Sequence, residues 1–355
     1  MSQDKRNILG LTPQELLHWF EARDEPSYRL DQVMNWLYGK FVGSFDEMTN
    51  LSKDLRSALA ENFTFGRTEI IERAFSEDGQ TEKFVFELEG GARVESVVME
   101  SENGFTYCIS SQSGCPLDCA FCATGAMGFG RNLETHEILG QIHAMARVKK
   151  FLGNIVFMGM GEPLLNLDAL LPALDALTDE RRFSLGKRRI TVSTAGVTPG
   201  IRKLSQSPAR PNLALSLNSP FERQRSELMP VNQEYPLDEV LEACEQYAER
   251  TGRRLMLEYV LLGGVNTSKK AAQAVAGIAK RLNAMVNLIP YNPVAEHDLD
   301  GPSRDETDRF RHVLESRGVN VTERYRRGRD IAAGCGQLAT SRNDRPAKES
   351  PAEGE

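Results

Sequence analysis

From about Gly104 to Leu338, strand-like and helix-like segments alternate, and nothing else in the chain constrains its fold so strongly. The strand candidates are Phe105 to Ser110, Asn154 to Met158, Arg189 to Thr194, Asn212 to Leu217, Leu255 to Leu261, Met285 to Ile289 and Val319 to Glu323. Helical patterns lie between them. In Thr135 to Lys150, for example, Ile138, Leu139, Ile142 and Met145 form one apolar stripe. Repeated βα units predict a parallel sheet. Six or seven units in one run fit a partial barrel at least as well as a doubly wound sheet. Functional groups then belong in the loops that follow the strand C-termini.

The flanks read differently. Residues 1–65 form a small helical unit, opened by Leu11-Thr12-Pro13-Gln14-Glu15, where a Thr cap precedes Pro and Glu. Residues 66–103 read as a short β-hairpin linker, with alternation in Lys83 to Leu88, a turn at Glu89-Gly90-Gly91 and a second strand from Ala92 to Met99. Residues 104–340 are the core. The polar tail, 341–355, is expected to be disordered. The formal net charge of −7 excludes a globally basic nucleic-acid coat, so any RNA binding has to be local. Uncharged runs such as Leu282 to Ala295 are too short to span a bilayer, and the N-terminus lacks an apolar signal region. A cytoplasmic enzyme is the expectation, with no membrane partner.

Four of the six cysteines fall within fifteen residues. Cys115, Cys119 and Cys122 have the spacing C-x3-C-x2-C on a loop after a strand, and Cys108 lies just upstream. Three thiolates so close can hold one metal centre from one side, yet three is an incomplete set for a four-ligand site. A structural zinc would need a fourth ligand, with Cys108 or His136 nearest. A [4Fe-4S] cluster on three cysteines leaves one iron open to a ligand. Cys244 reads as a buried helix thiol, and Cys335, between two glycines, as part of a mobile, exposed stretch.

The cysteine spacing, with Phe121 before the last Cys, resembles the radical S-adenosylmethionine (SAM) superfamily. Three further segments resemble the RlmN/Cfr family of RNA adenine methyltransferases. They are Cys108-Ile109-Ser110-Ser111-Gln112, Gly159-Met160-Gly161-Glu162-Pro163-Leu164 and Ala333-Gly334-Cys335-Gly336-Gln337-Leu338. Further matches include Leu228-Met229-Pro230-Val231-Asn232 and Glu258-Tyr259-Val260-Leu261, and the likeness runs from about residue 10 to 340. It implies an α/β fold, a (β/α)6 partial barrel of radical SAM type with a small N-terminal helical, RNA-binding domain.

The resemblance also implies the site. Cys115, Cys119 and Cys122 would hold one [4Fe-4S] cluster. Gly161, Glu162, Ser193, Ser216, Leu217, Asn218 and Asn292 would bind SAM, two molecules of which are used per turnover. One SAM would methylate Cys335. A 5′-deoxyadenosyl radical from the second would activate that methyl group for addition to adenine. Glu95 would accept the ring proton, and Cys108 would attack the Cys335 sulfur, forming a disulfide and releasing the methylated base. By composition alone Glu95 passes for a solvent-facing strand residue.

Pro163 resembles the branch that methylates adenine C2, the alternative being the Cfr-type C8 branch. Asn218 departs from the family's usual His; Asn keeps one donor and one acceptor but carries no charge. Implied partners are ribosomal and transfer RNA and a reductant such as flavodoxin or ferredoxin. Of two basic clusters, Arg181 to Arg189 reads as a solvated face. Arg324, Arg326, Arg327 and Arg329, just before Cys335, read as phosphate contacts. A target adenine must be unstacked to reach a barrel mouth, which favours loop or single-stranded RNA.

Overall fold

A computed structural model describes residues 5–102, 104–295, 297–323, 328 and 330–340. The tail expected to be disordered, and the cluster Arg324, Arg326, Arg327 and Arg329, lie outside the described residues.

One ten-stranded sheet organises the molecule. Its strands are β1 (Glu69–Phe75), β2 (Thr81–Glu87), β3 (Arg93–Ser101), β4 (Gly104–Cys108), β5 (Asn154–Phe157), β6 (Ile190–Thr194), β7 (Asn212–Ser216), β8 (Leu255–Leu261), β9 (Met285–Pro290) and β10 (Val321–Glu323). They neighbour one another in strict chain order. From β4 to β10 every pairing is parallel, and these seven strands are the seven expected segments. The six connections each carry helix, giving six βα units and a closing strand.

Chain-order neighbours have a consequence. Crossovers are right-handed, so when each one adds a strand on the same side, all the helices fall on one face of the sheet. Helix Thr135–Lys149 packs on Leu167–Thr178, Thr198–Leu204 on Leu237–Thr251, and Lys269–Arg281 on Arg304–Ser316. The sheet curls around its other face, as a partial barrel does. A doubly wound sheet would reverse its strand order at a switch point, and this one does not.

Residues 66–103 differ from expectation. They hold the expected hairpin, β2 and β3 joined across Glu89–Gly91, but also a further strand β1, and the three pair antiparallel in succession and onto β4, extending the barrel sheet. Edge strand β1 escapes a pattern reading because most of its side chains are exposed, Ile71 and Phe75 among them. Strand β3 is buried on both faces, holding Glu95 and Ser96 alongside Val94, Val97 and Val98.

The helical unit starts as the cap predicts. The Thr12 hydroxyl accepts from the Glu15 N–H (3.2 Å), and the Glu15 carboxylate accepts from the Thr12 N–H (2.8 Å), at the start of helix Pro13–Glu21. Its apolar core is continuous with that of the barrel. Tyr38 meets Phe183 edge to face and Phe41 lies tilted against it, and Phe41 and Phe65 flank His143 of helix Thr135–Lys149. Burial there holds the His143 imidazole down to about 4, a neutral ring inside an apolar joint. Among the described residues no helix is long and apolar enough to cross a membrane.

Candidate functional site at the mouth of the barrel

The cysteine loop leaves the end of β4 and is clamped at its neck. Gln112–Gly114 pairs antiparallel with Phe129–Asn132, so the loop's two arms run together. Gly114 makes this possible: its φ is +73°, and a Cβ there would lie 1.9 Å from the Gly128 carbonyl oxygen. The Cys115 N–H donates to that same carbonyl (3.1 Å).

The far side of the loop is bonded to distant chain. Ala120 N–H donates to Leu228 O (3.0 Å), and Ala123 N–H to Gly336 O (2.8 Å). The Thr124 hydroxyl donates to Leu338 O (2.6 Å). The cysteine loop is therefore joined directly to the segment that carries Cys335. That segment is half-buried and tied down, where the sequence suggested a mobile, exposed stretch. Cys244 meets expectation, buried in helix Leu237–Thr251, and burial pushes its thiol up to about 12.

Two cavities adjoin Cys335. The first, about 160 Å³, is lined by Cys115, Cys119 and Cys122 on one side. Gly161, Glu162, Ser193, Ser216 and Asn218, all at or just past strand C-termini, line the other. The second, about 320 Å³, is lined by Cys108, Asn292, Val97, Leu338 and neighbouring residues of β3, β4 and β9. Cys335, Met158 and Ile289 line both. A larger open cleft of about 1000 Å³ lies between the helical unit and the start of helix Thr135–Lys149. It holds His136 and none of the cysteines.

The three cavity thiols are close enough to repel one another as thiolates. Burial raises Cys115 to about 12 and Cys119 well above the usual value, and negative charges on neighbouring groups add to it. A bound cation reverses this, because a coordinating thiol is deprotonated outright. A structural zinc would need a fourth ligand, and of the candidates Cys108 lines the second cavity and His136 the separate cleft. Three thiols on one wall of the first cavity fit a [4Fe-4S] cluster held by three cysteines.

The Gly159 to Glu162 turn is held from below. Gly161 has φ +97°, and a Cβ on it would lie 2.5 Å from Gln112 Cβ. Gln112 Oε1 accepts from the Glu162 N–H (2.8 Å). The Glu162 carboxylate is buried and accepts from the N–H groups of Leu164 (3.1 Å) and Ala195 (2.8 Å). Burial nonetheless pushes it up to about 7. Asn218, at φ +53°, is a residue type that tolerates this conformation. Its Oδ1 accepts from the Val260 N–H (2.9 Å), and its Nδ2 donates to Met229 Sδ (3.2 Å). Leu217 is buried and outside both cavities, while Asn292 lines the second cavity rather than the first. Asn292 Oδ1 is buried without a hydrogen-bond partner among the described residues.

Glu95 is buried, not solvent-facing. Lys83 Nζ lies 3.2 Å from Oε1, and the Ala339 N–H donates to Oε2 (3.1 Å), tying Glu95 to the Cys335 segment. Burial raises its carboxyl above the ordinary value, against the pull of Lys83. Glu95 lines neither cavity; Val97, two residues along its strand, and Leu338, next to its partner Ala339, line the second.

Two further residues take part in the mouth without having been given a role by the sequence. Arg225 is fully buried, and its guanidinium donates to the carbonyls of Leu217 (3.1 Å), Ser216 (3.2 Å) and Ala195 (2.5 Å) and to Asn232 Oδ1 (2.5 Å). Glu258, on β8, lines the first cavity. The basic run at 181–189 lies at the opposite, N-terminal end of β6, with Arg189 bonded to Leu152 O and Asn154 Oδ1.

The fold and the cysteine-lined mouth together define a radical SAM protein. Residues 109–272 match the radical SAM superfamily, and residues 6–65 match the ribosomal RNA large subunit methyltransferase N-terminal domain. A radical SAM methyltransferase structure from Sphaerobacter thermophilus superimposes with a TM-score of 0.90 at 40% identity, covering 94% of this chain and 99% of that one. The probable dual-specificity RNA methyltransferase RlmN of Dictyoglomus turgidum is 41% identical across 94% of this chain and 96% of its own length. The corresponding protein of Gemmatimonas aurantiaca is 45% identical across 91% and 89%. The chain belongs to the RlmN family.

Proposed function

We propose that this chain methylates carbon 2 of adenine in ribosomal RNA and in transfer RNA, through a methylated Cys335. One observation carries the reading: Cys335 lies in the wall shared by the cavity of Cys115, Cys119 and Cys122 and the cavity of Cys108. When bound on these three cysteines, a [4Fe-4S] cluster supplies the electron that cleaves SAM to a 5′-deoxyadenosyl radical, at the expense of a reductant such as flavodoxin or ferredoxin.

The chain's own residues do the rest. Gly161 and Glu162 receive the amino-acid end of SAM beside the cysteine loop. A carboxylate has about four acceptor positions, so Glu162 keeps capacity beyond its two backbone bonds. Ser193, Ser216 and Asn218 line the path of the nucleoside. Cys335 accepts a methyl group on the side of the first cavity and presents its carbon to adenine in the second. Asn292 offers an unpartnered oxygen on the wall of that second cavity. Glu95, raised by burial, takes the proton from the ring carbon. Once the ring adduct's unpaired electron has returned to the electron carrier, the Cys108 thiolate attacks the Cys335 sulfur: the S–S bond forms as the S–C bond breaks, and the methylene carbon leaves with the bonding pair and takes a proton to become the methyl group.

The test is covalent trapping. Cys108→Ala leaves every earlier step in place, so it should accumulate a protein–RNA adduct, a nuclease-sensitive upward shift on a denaturing gel. Cys335→Ala should give neither adduct nor product. Wild-type product RNA should yield 2-methyladenosine on nucleoside mass spectrometry. Normal turnover by Cys108→Ala, or methylation by Cys335→Ala, would refute the two-cysteine route.

A further inference from the structure

The chemistry above assigns nothing to Glu258. We propose that Glu258 is the acceptor for a ribose hydroxyl of SAM, and so the residue that positions the nucleoside half of the ligand. The inference rests on the first cavity being the SAM site.

Glu258 sits in the middle of β8, in register with Ser216 on one side and Asn287 on the other. It is only 4% exposed, yet it lines the first cavity. Its two oxygens are treated unequally. Oε2 accepts from Asn287 Nδ2 (2.7 Å), and Asn287 Oδ1 accepts from the Thr322 hydroxyl (3.1 Å). This chain of bonds across β8, β9 and β10 fixes the carboxylate plane. The strand is fixed too, because the Glu258 carbonyl accepts from the Leu217 N–H (2.9 Å). Oε1 has no hydrogen-bond partner among the described residues. A buried acceptor without a partner is costly, and on a residue that lines a ligand cavity it is placed to be satisfied by a donor on the ligand.

The donor follows from the layout. The cysteine loop and the Gly159 to Glu162 turn take the amino-acid end of SAM, at β4 and β5. Glu258 lies three strands further along the sheet from β5. What reaches it is the nucleoside, whose donors are the ribose hydroxyls and the adenine amino group. Val260 and Ile289, which also line the cavity, lie nearer the strand C-termini and give the base apolar walls. One layer deeper, Glu258 faces the sugar. An acidic side chain accepting from a ribose hydroxyl is the same solution that dinucleotide-binding folds reach on another scaffold.

The experiment measures binding, not turnover. Anaerobic, iron-loaded protein is titrated with S-adenosylhomocysteine and with its 2′-deoxy and 3′-deoxy forms. Glu258→Gln keeps the shape and, with its amide oxygen taking the bond from Asn287, leaves an N–H group where the ligand needs an acceptor, so the charge-assisted bond is lost. In wild-type protein one of the two deoxy forms should bind at least about tenfold more weakly than the parent. Glu258→Gln should weaken the parent about tenfold, and should largely lose the discrimination against that same deoxy form. The inference is overturned if Glu258→Gln binds the parent within twofold of wild type. It is overturned equally if the penalties of the substitution and the missing hydroxyl simply multiply. Should the variant fail to load iron, wild-type protein still decides: equal binding of all three ligands rejects a ribose contact. If wild-type protein does not bind the parent at all, the SAM-site reading fails, and this inference with it.

Discussion

Arg225→Met isolates what holds the barrel mouth in shape. The guanidinium donates to three backbone carbonyls and to Asn232 Oδ1, joining the ends of β6 and β7 to the segment after helix Glu222–Leu228. Two of the acceptor residues, Ala195 and Ser216, line the first cavity. Methionine fills much of the same volume but donates nothing. Leu217 O keeps the Ser219 N–H (2.7 Å), but the Ala195 and Ser216 carbonyls and Asn232 Oδ1 lose this donor, at about 2 kcal/mol each. Against this, burial holds the guanidinium down to about 10, a penalty of about 3 kcal/mol that the substitution removes. The net loss is about 3 kcal/mol, a drop in Tm of roughly 6 °C at roughly 2 °C per kcal/mol for a chain of this size. Thermal unfolding followed by circular dichroism, on matched anaerobic preparations, reads it directly. Weakened S-adenosylhomocysteine binding should accompany it, with Arg225→Lys intermediate in both. A Tm within 2 °C of wild type, or unaltered ligand affinity, would refute the idea that this arginine braces the rim.

Two other outcomes are expected. Anaerobically reconstituted protein should bind about four irons and absorb broadly in the blue, as a [4Fe-4S] centre on three thiolates does; colourless protein with one zinc would defeat the cluster reading. For pH, Glu162 is the informative group, its folded-state carboxyl at about 7 against an ordinary 4.5. A raised carboxyl contributes stability that is full below about 4.5 and lost as pH rises through about 7, roughly 3 kcal/mol in all. Ligand-free Glu162→Gln should lack that loss, so relative to wild type it should gain stability between pH 5 and pH 8. Parallel stability curves for the two proteins would show that Glu162 does not titrate in this window.

The parallel strands were legible because strands buried on both faces read as continuous apolar runs, as in Leu255-Met256-Leu257 and Met285-Val286. That same reading passed over Glu258, a charge hidden inside such a run. Edge strand β1 was not legible because it keeps little apolar surface to bury. In the site, what is local was legible: the cysteine spacing, and the glycine turn whose positive φ demands glycine. What depends on distant partners was not. Arg225 is a charged residue on a short helix until the fold brings the carbonyl of Ala195 to it. Glu95 looks solvent-facing until Lys83 and a backbone amide 244 residues away enclose it.

The Cys335 segment shows how these distant partners build one machine. Its Gly336 and Leu338 carbonyls are bonded to the cysteine loop, while the Ala339 amide is bonded to Glu95. Gly336 takes φ +81°, and a Cβ on it would approach the Phe121 carbonyl to 3.2 Å, so a glycine next to Cys335 lets the segment lie close against the loop. A thiol lining only the first cavity could receive a methyl group but not present it to a base. A thiol lining only the second could meet a base but not the source of the methyl group or of the radical. By stitching one short segment to the cysteine loop on one side and to Glu95 on the other, the fold sets a single sulfur between both.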